Sequence, residues 1–299
     1  MITPVMPTYA RADLAFEKGE GPYLYAQDGR RFLDFGSGIA VNTLGHSHPH
    51  LVAKLTEQVG KVWHTSNLYR IPGQEKLAER LVANTFADTV FFCNSGAEAN
   101  EAGIKMLRRY QHVSGHPEKN RILVATNAFH GRTLGTLTAG YSDKYREGFG
   151  PMPDGFDRVA YGNLNELRNA ITPNTGGILL EPIQGEGGIC RAPEGYLEGV
   201  RKAADEFGML VMFDEVQTGV GRTGKLFAYE WSDMIPDIIS SAKGLGGGFP
   251  VGALLASEKA AAALPAGMHG TTFGGNPLAM AAANAVLDEV LKPGFMDHV

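Results

Sequence analysis

A chain of 299 residues is long enough for one large core, or for one large domain with a small appendage. Its 43% hydrophobic and 20% charged residues are ordinary for a globular protein, and a net charge of −5 without a dense basic run argues against a nucleic-acid surface. No apolar run approaches a membrane span, no charged-then-apolar leader opens the sequence, and two cysteines cannot build a disulfide framework, so a cytoplasmic protein without nucleic-acid or membrane partners is expected.

In chain order, Tyr23 to Tyr25 and Arg31 to Phe35 flank Asp28-Gly29 and predict a small β-hairpin, so residues 1–45 are expected to form an N-terminal segment outside the main sheet, and 46–299 one large α/β domain. Helical periodicity follows around Leu51 to Val59 and Glu75 to Val82. From there short apolar runs alternate with helix-period segments. Strands are expected at Thr89 to Cys93, Arg121 to Thr126, Gly177 to Glu181, Met209 to Phe213, Ile238 to Ser241 and Ala253 to Ala256. Helices are expected at Glu98 to Tyr110, Tyr196 to Phe207 and Leu278 to Leu291. This alternation predicts an α/β fold with a mainly parallel sheet, and ligands in such sheets sit at the carboxyl ends of the strands.

Four strand ends carry chemistry. Asn94 to Asn100 opens a helix with small residues, which suits a phosphate at the positive end of the dipole and equally suits a plain N-cap. Phe129-His130-Gly131-Arg132 offers an aromatic face and a guanidinium, although a core phenylalanine and a surface arginine are the default for those residues alone. Asp214, in Asp214-Glu215-Val216-Gln217, ends a fully apolar strand and needs a cation or several donors; a cationic organic cofactor suits it better than a metal, since no further ligand set lies nearby. Lys243 opens a glycine-rich turn directly after an apolar strand, where partial burial frees a nucleophilic amine. Two decoys are set aside. Gly219 to Leu226 mimics a phosphate-binding loop but places Leu226 where a hydroxyl residue belongs, and His46, His48 and His50 are interrupted by Pro49 and lack companion ligands.

The order Ser95-Gly96-Ala97, Phe129-His130-Gly131-Arg132, Asp214-Glu215-Val216-Gln217, Lys243 and Thr271 to Pro277 resembles the class III pyridoxal-phosphate aminotransferases over nearly the whole chain. Gly38 to Asn42, Trp63 to Tyr69 and Lys243 to Pro250 look like the acetylornithine branch. Ornithine-specific members usually carry a tyrosine near Ile39, and an apolar residue there suits an acylated amine.

The resemblance implies a fold-type-I large domain and pyridoxal 5′-phosphate held covalently by Lys243, which would also be the catalytic base. It also implies cofactor binding by Gly96, Ala97, Phe129, Asp214, Glu215, Val216 and Gln217, and by Thr272 toward a neighbouring subunit of a homodimer. Arg132 and Thr271 would bind substrate, with Glu186 as a gate between two substrates and no metal involved. The implied reaction is that of N-acetylornithine with 2-oxoglutarate in arginine biosynthesis. The alternatives are a succinyl-diaminopimelate, succinylornithine or 4-aminobutyrate transaminase, or a catalytically impaired cofactor-binding protein. That last alternative arises because the sequence stops at Val299, so the small C-terminal domain and its arginine partner for Glu186 are expected to be missing.

Overall fold

The structure is a computed structural model, and it describes residues 4–299. Three short antiparallel strands, β1 (Phe16–Glu20), β2 (Tyr23–Ala26) and β3 (Arg31–Leu33), form a small sheet of their own. The expected hairpin is β2–β3, with Tyr23 opposite Leu33. Strand β1 carries exposed and charged residues, so periodicity does not signal it; pairing with β2 creates it.

The main sheet contains β4 (Thr89–Cys93), β5 (Arg121–Ala125), β6 (Phe156–Val159), β7 (Thr175–Leu180), β10 (Leu210–Asp214), β11 (Ile238–Ser241) and β12 (Gly252–Ala256). Between β7 and β10 a two-residue pair, β8 (Ile183–Gln184) and β9 (Cys190–Arg191), closes a separate loop. The order across the sheet is β4-β12-β11-β10-β7-β5-β6. Only β12 runs against its neighbours, so the sheet is mainly parallel. Edge strand β6 places the adjacent Asp157 and Arg158 between Phe156 and Val159, too short and too polar a run to stand out in the sequence.

Strand β10 reads as an unbroken apolar run up to Asp214 because both its faces are covered. Leu210 and Met212 of β10 pack into the cluster beneath the helix Gly96–Val113, with Leu107, Leu179 and Leu254. Val211 and Phe213 point the other way, into the larger cluster with Val200, Ala203, Ile239 and Leu255. Burying one such side chain contributes about 1.5–3 kcal/mol. Helices Pro49–Val59, Pro72–Ala83, Tyr196–Phe207 and Pro277–Val290 supply that second layer. The first, second and fourth of these begin with proline, whose fixed φ suits a first helical turn.

Candidate active site

All five strand ends that matter open on one side of the sheet, because β4, β5, β7, β10 and β11 are mutually parallel. They enclose a cleft of about 450 Å³. Gly96, Ala97, Phe129, Arg132, Glu186, Asp214, Val216, Gln217 and Lys243 all line it.

After β4, Ser95 caps the helix Gly96–Val113, its hydroxyl accepting from the Glu98 amide at 3.2 Å. Its carbonyl accepts from the Ala99 amide. The amides of Gly96 and Ala97 are left without an acceptor among the described residues, at the positive end of an 18-residue helix. The capping and the phosphate-seat interpretations therefore describe the same turn. Gly96 is required there, since a Cβ would lie 2.7 Å from both Val216 methyl groups.

Asp214 is almost wholly buried, and its carboxylate is fixed by four donors. Asn100 Nδ2 (2.7 Å) and His130 Nδ1 (2.8 Å) reach Oδ2; the Val216 amide (3.0 Å) and Ser240 Oγ (3.3 Å) reach Oδ1. Ser240 Oγ shares its single proton between Asp214 Oδ1 and the nearer Asn100 Oδ1 at 2.6 Å, so the set closes on itself. His130 is fully enclosed. Burial works against its imidazolium, yet the hydrogen bond and charge of Asp214, with Glu181 beyond, hold its pKa above the ordinary histidine value.

Lys243 follows β11 in a left-handed conformation (φ 44°), a backbone region that costs a side-chain-bearing residue energy and is typically kept where function demands it. Its ammonium makes no hydrogen bond or ion pair among the described residues. Burial lowers its pKa, against the opposing pull of Asp214, Glu186 and Glu181. Phe129 follows β5, and its amide donates to Glu181 Oε1 at 2.9 Å. Burial pushes the Glu181 carboxyl up to about 7, although His130 and two amide hydrogen bonds counter it.

Two residues expected at this cleft, Glu215 and Thr271, lie elsewhere, and Thr272, expected to serve a neighbouring subunit, is also outside it. Glu215 points away from the cleft into the core, accepting from Thr218 Oγ1 (2.6 Å) and the amides of Ala228 (2.7 Å) and Tyr229 (2.8 Å). It follows Asp214 directly, so the two side chains leave opposite faces of the chain. Thr271 sits behind Asn94, whose amide donates to its hydroxyl at 3.4 Å, and Thr272 is exposed; neither lines the cleft of this chain. Ile39 is also outside, and Val41 is the residue of that segment that lines the cleft. Conversely, Asn100, His130, Ser240 and Glu181 are structural partners not singled out above. A polar residue inside an apolar strand or at its end was the available signal for Ser240 and Glu181. An asparagine inside a helix was the signal for Asn100.

Of the decoys, His46 is bound to Asp34 (2.7 Å), His50 to Asp288 (2.8 Å), His48 precedes the helix Pro49–Val59, and Leu226 is buried in the core.

The donor set has a definite shape. A buried carboxylate, two free amides at a helix start, an aromatic ring and an unpaired amine fit a cationic ring that carries a phosphate and an aldehyde. The family model for aminotransferase class-III matches residues 6–299. The chain belongs to the class-III aminotransferases. These enzymes are dependent on pyridoxal 5′-phosphate, and the cleft residues fit that group.

This class-III aminotransferase is 62% identical to the acetylornithine aminotransferase of Brucella melitensis biotype 1, over all of this chain and 74% of that protein. Among solved structures it resembles N-acetylornithine aminotransferase from Stenotrophomonas maltophilia K279a, with a TM-score of 0.83 and 39% identity over 97% of this chain and 71% of that one. It also resembles a PLP-bound amine transaminase from an uncultivated Pseudomonas species, with a TM-score of 0.90 and 29% identity over 97% of this chain and 74% of the other.

Proposed function

We propose that this aminotransferase takes the terminal amino group of N-acetylornithine and passes it to 2-oxoglutarate, giving N-acetylglutamate semialdehyde and glutamate, as in arginine biosynthesis. The observation that carries the substrate is the 62% identity, over the whole chain, to a relative named acetylornithine aminotransferase. The cleft supports the reaction type.

Pyridoxal 5′-phosphate, when bound, supplies a ring that withdraws electrons from the carbon bearing the amine. Asp214, held by Asn100, His130, Ser240 and the Val216 amide, keeps a proton at the ring nitrogen. With the cofactor bound, the Gly96 and Ala97 amides would hold its phosphate, Phe129 and Val216 would contact its ring and Gln217 would hydrogen-bond its hydroxyl oxygen. Lys243 anchors the cofactor, and its Nζ, with its pKa lowered by burial, then moves the proton at the substrate carbon. Arg132 binds the substrate carboxylate, and Glu186 at the exposed rim gates the exchange of the two substrates. Thr271 and the exposed Thr272 serve the cleft of a second copy in a cytoplasmic homodimer. Residues 1–45 form the segment that carries the small sheet, and 46–299 the cofactor-binding domain.

Borohydride reduction followed by peptide mapping tests the anchor: a phosphopyridoxyl mass on Lys243 is expected, and the same mass on another lysine overturns the assignment. Turnover with 2-oxoglutarate then tests the substrate. N-acetylornithine is expected to give the highest kcat/KM, ahead of ornithine, succinylornithine, succinyl-diaminopimelate and 4-aminobutyrate. A higher value for 4-aminobutyrate would reject the substrate assignment.

A further inference from the structure

Arg132 is an exposed guanidinium at the cleft that makes no hydrogen bond or ion pair among the described residues. Two rings hold it instead. Its Cζ lies 3.8 Å from the centroid of Tyr145 and 5.6 Å from that of Phe129. The shorter distance is that of a guanidinium against an aromatic face, an attraction that survives partial exposure. The backbone beside Arg132 is fixed independently. Gly131 packs on Ala97, where a Cβ would meet the Ala97 Cβ at 2.7 Å, and Thr133 closes a capping box with Thr136 at the start of the helix Leu134–Ala139.

Tyr145 belongs to a different loop. It ends the short turn Asp143–Tyr145, with its amide donating to the Ser142 carbonyl at 3.1 Å. That loop is tied to the strand-end segment by the Tyr141 amide on the Ala128 carbonyl (3.1 Å) and by Arg158 on the Gly140 carbonyl (2.9 Å). Tyr145 also lines a second cavity of about 390 Å³, which shares Phe129, His130, Gly131 and Glu186 with the main cleft. No hydrogen bond engages the Tyr145 hydroxyl among the described residues, so its ring is what acts on Arg132.

We propose that Tyr145 is a positioning residue whose ring presets the Arg132 guanidinium at the cleft mouth for the substrate carboxylate. An unpaired arginine otherwise samples many rotamers, and ordering it on binding weakens affinity. The charge stays available because a ring, unlike a carboxylate, holds the guanidinium without neutralising it. The inference rests on Arg132 being the carboxylate clamp.

The test uses the full chain loaded with cofactor and compares Tyr145→Leu, Tyr145→Met, Tyr145→Phe and Arg132→Gln. Glutarate, an unreactive dicarboxylate, is titrated by calorimetry; KM and kcat are measured with N-acetylornithine; and butylamine, which lacks a carboxylate, is followed by the cofactor absorbance. The two ringless variants are expected to weaken glutarate and raise KM about 5- to 20-fold, with kcat within about twofold and butylamine unchanged. Tyr145→Phe is expected to match the parent chain. Loss in Tyr145→Phe equal to that in Tyr145→Leu would overturn the role of the ring. So would ringless variants that bind glutarate normally while Arg132→Gln does not. If Arg132→Gln itself binds glutarate normally, the clamp assignment fails first and the inference falls with it.

Discussion

Adjacent carboxylates Asp214 and Glu215 illustrate how little residue type decides by itself. Both are buried, but Asp214 faces the cleft with Asn100 and His130, whereas Glu215 closes the Thr218–Tyr229 turn from behind. Glu215→Ala is expected to cost about 2–4 kcal/mol in urea unfolding, since two core amides and a hydroxyl lose their acceptor. Cofactor affinity of the folded fraction is expected to stay unchanged, and a large loss would show that Glu215 serves the cleft after all. Burial raises both Glu181 and Glu215 to about 7 from an ordinary 4.5. A raised carboxyl pKa means that the folded state binds the proton more tightly. The resulting stability is full below about 4.5 and is lost as pH rises through about 7. Chemical unfolding across that window is expected to show the loss. Activity has the opposite sign. The ionised Glu181 accepts the Phe129 and Gly185 amides at 2.9 and 3.2 Å, so kcat/KM is expected to fall on acidification through about 7. Glu181→Gln, with one amide unpaired at every pH, is expected to be slower and to lose that limb of the profile.

At the scale of elements, the cleft residues sit at the carboxyl ends of the strands and in the turns and helix start that follow them. The turn after β4 is the plainest instance, because Gly96 must admit Val216 from the β10 end while leaving its own amide free. Gly96→Ala is expected to lower stability by about 1–3 kcal/mol through overpacking. It should also weaken pyridoxal phosphate at least severalfold, measured by fluorescence titration; unchanged affinity would argue against a phosphate seat at this turn. Ser95→Ala is expected to cost about 1 kcal/mol, the usual worth of an N-cap. These turns were legible in the sequence because each interrupts an apolar run with glycine, a carboxylate or a lysine. The partners of Asp214 were less so. Asn100 lies one turn inside a helix, and only the crossing of that helix over the sheet brings it to a strand end 114 residues later.

At the scale of the whole molecule, Leu68, Tyr69, Trp63 and Phe273 leave large apolar area exposed, as do Phe35 and Ile39. If these surfaces meet in a homodimer, Leu68→Asp combined with Tyr69→Asp is expected to halve the mass seen in sedimentation; an unchanged mass would place the contact elsewhere. The alternation of apolar runs and helical segments determined the α/β class and most strand positions, because burial on both faces favours continuous apolar residues in a central strand. Strands β1 and β6 left no such mark, since their short, partly charged runs are specified by the neighbour they pair with, whereas the edge strand β4 is apolar enough to be read directly. The sequence by itself also pointed to Asp214 and Lys243, each a charge that ends an apolar strand, and to the small-residue turn at Gly96; the resemblance added Val216, Gln217 and Glu186 to the residues that line the cleft. Only the tertiary structure decided that Glu215 turns inward, that Asn100 and His130 hold Asp214, and that Tyr145 faces Arg132. Those contacts join segments from different strand ends, and no local pattern encodes which side chains meet when the parallel sheet gathers its ends on one side.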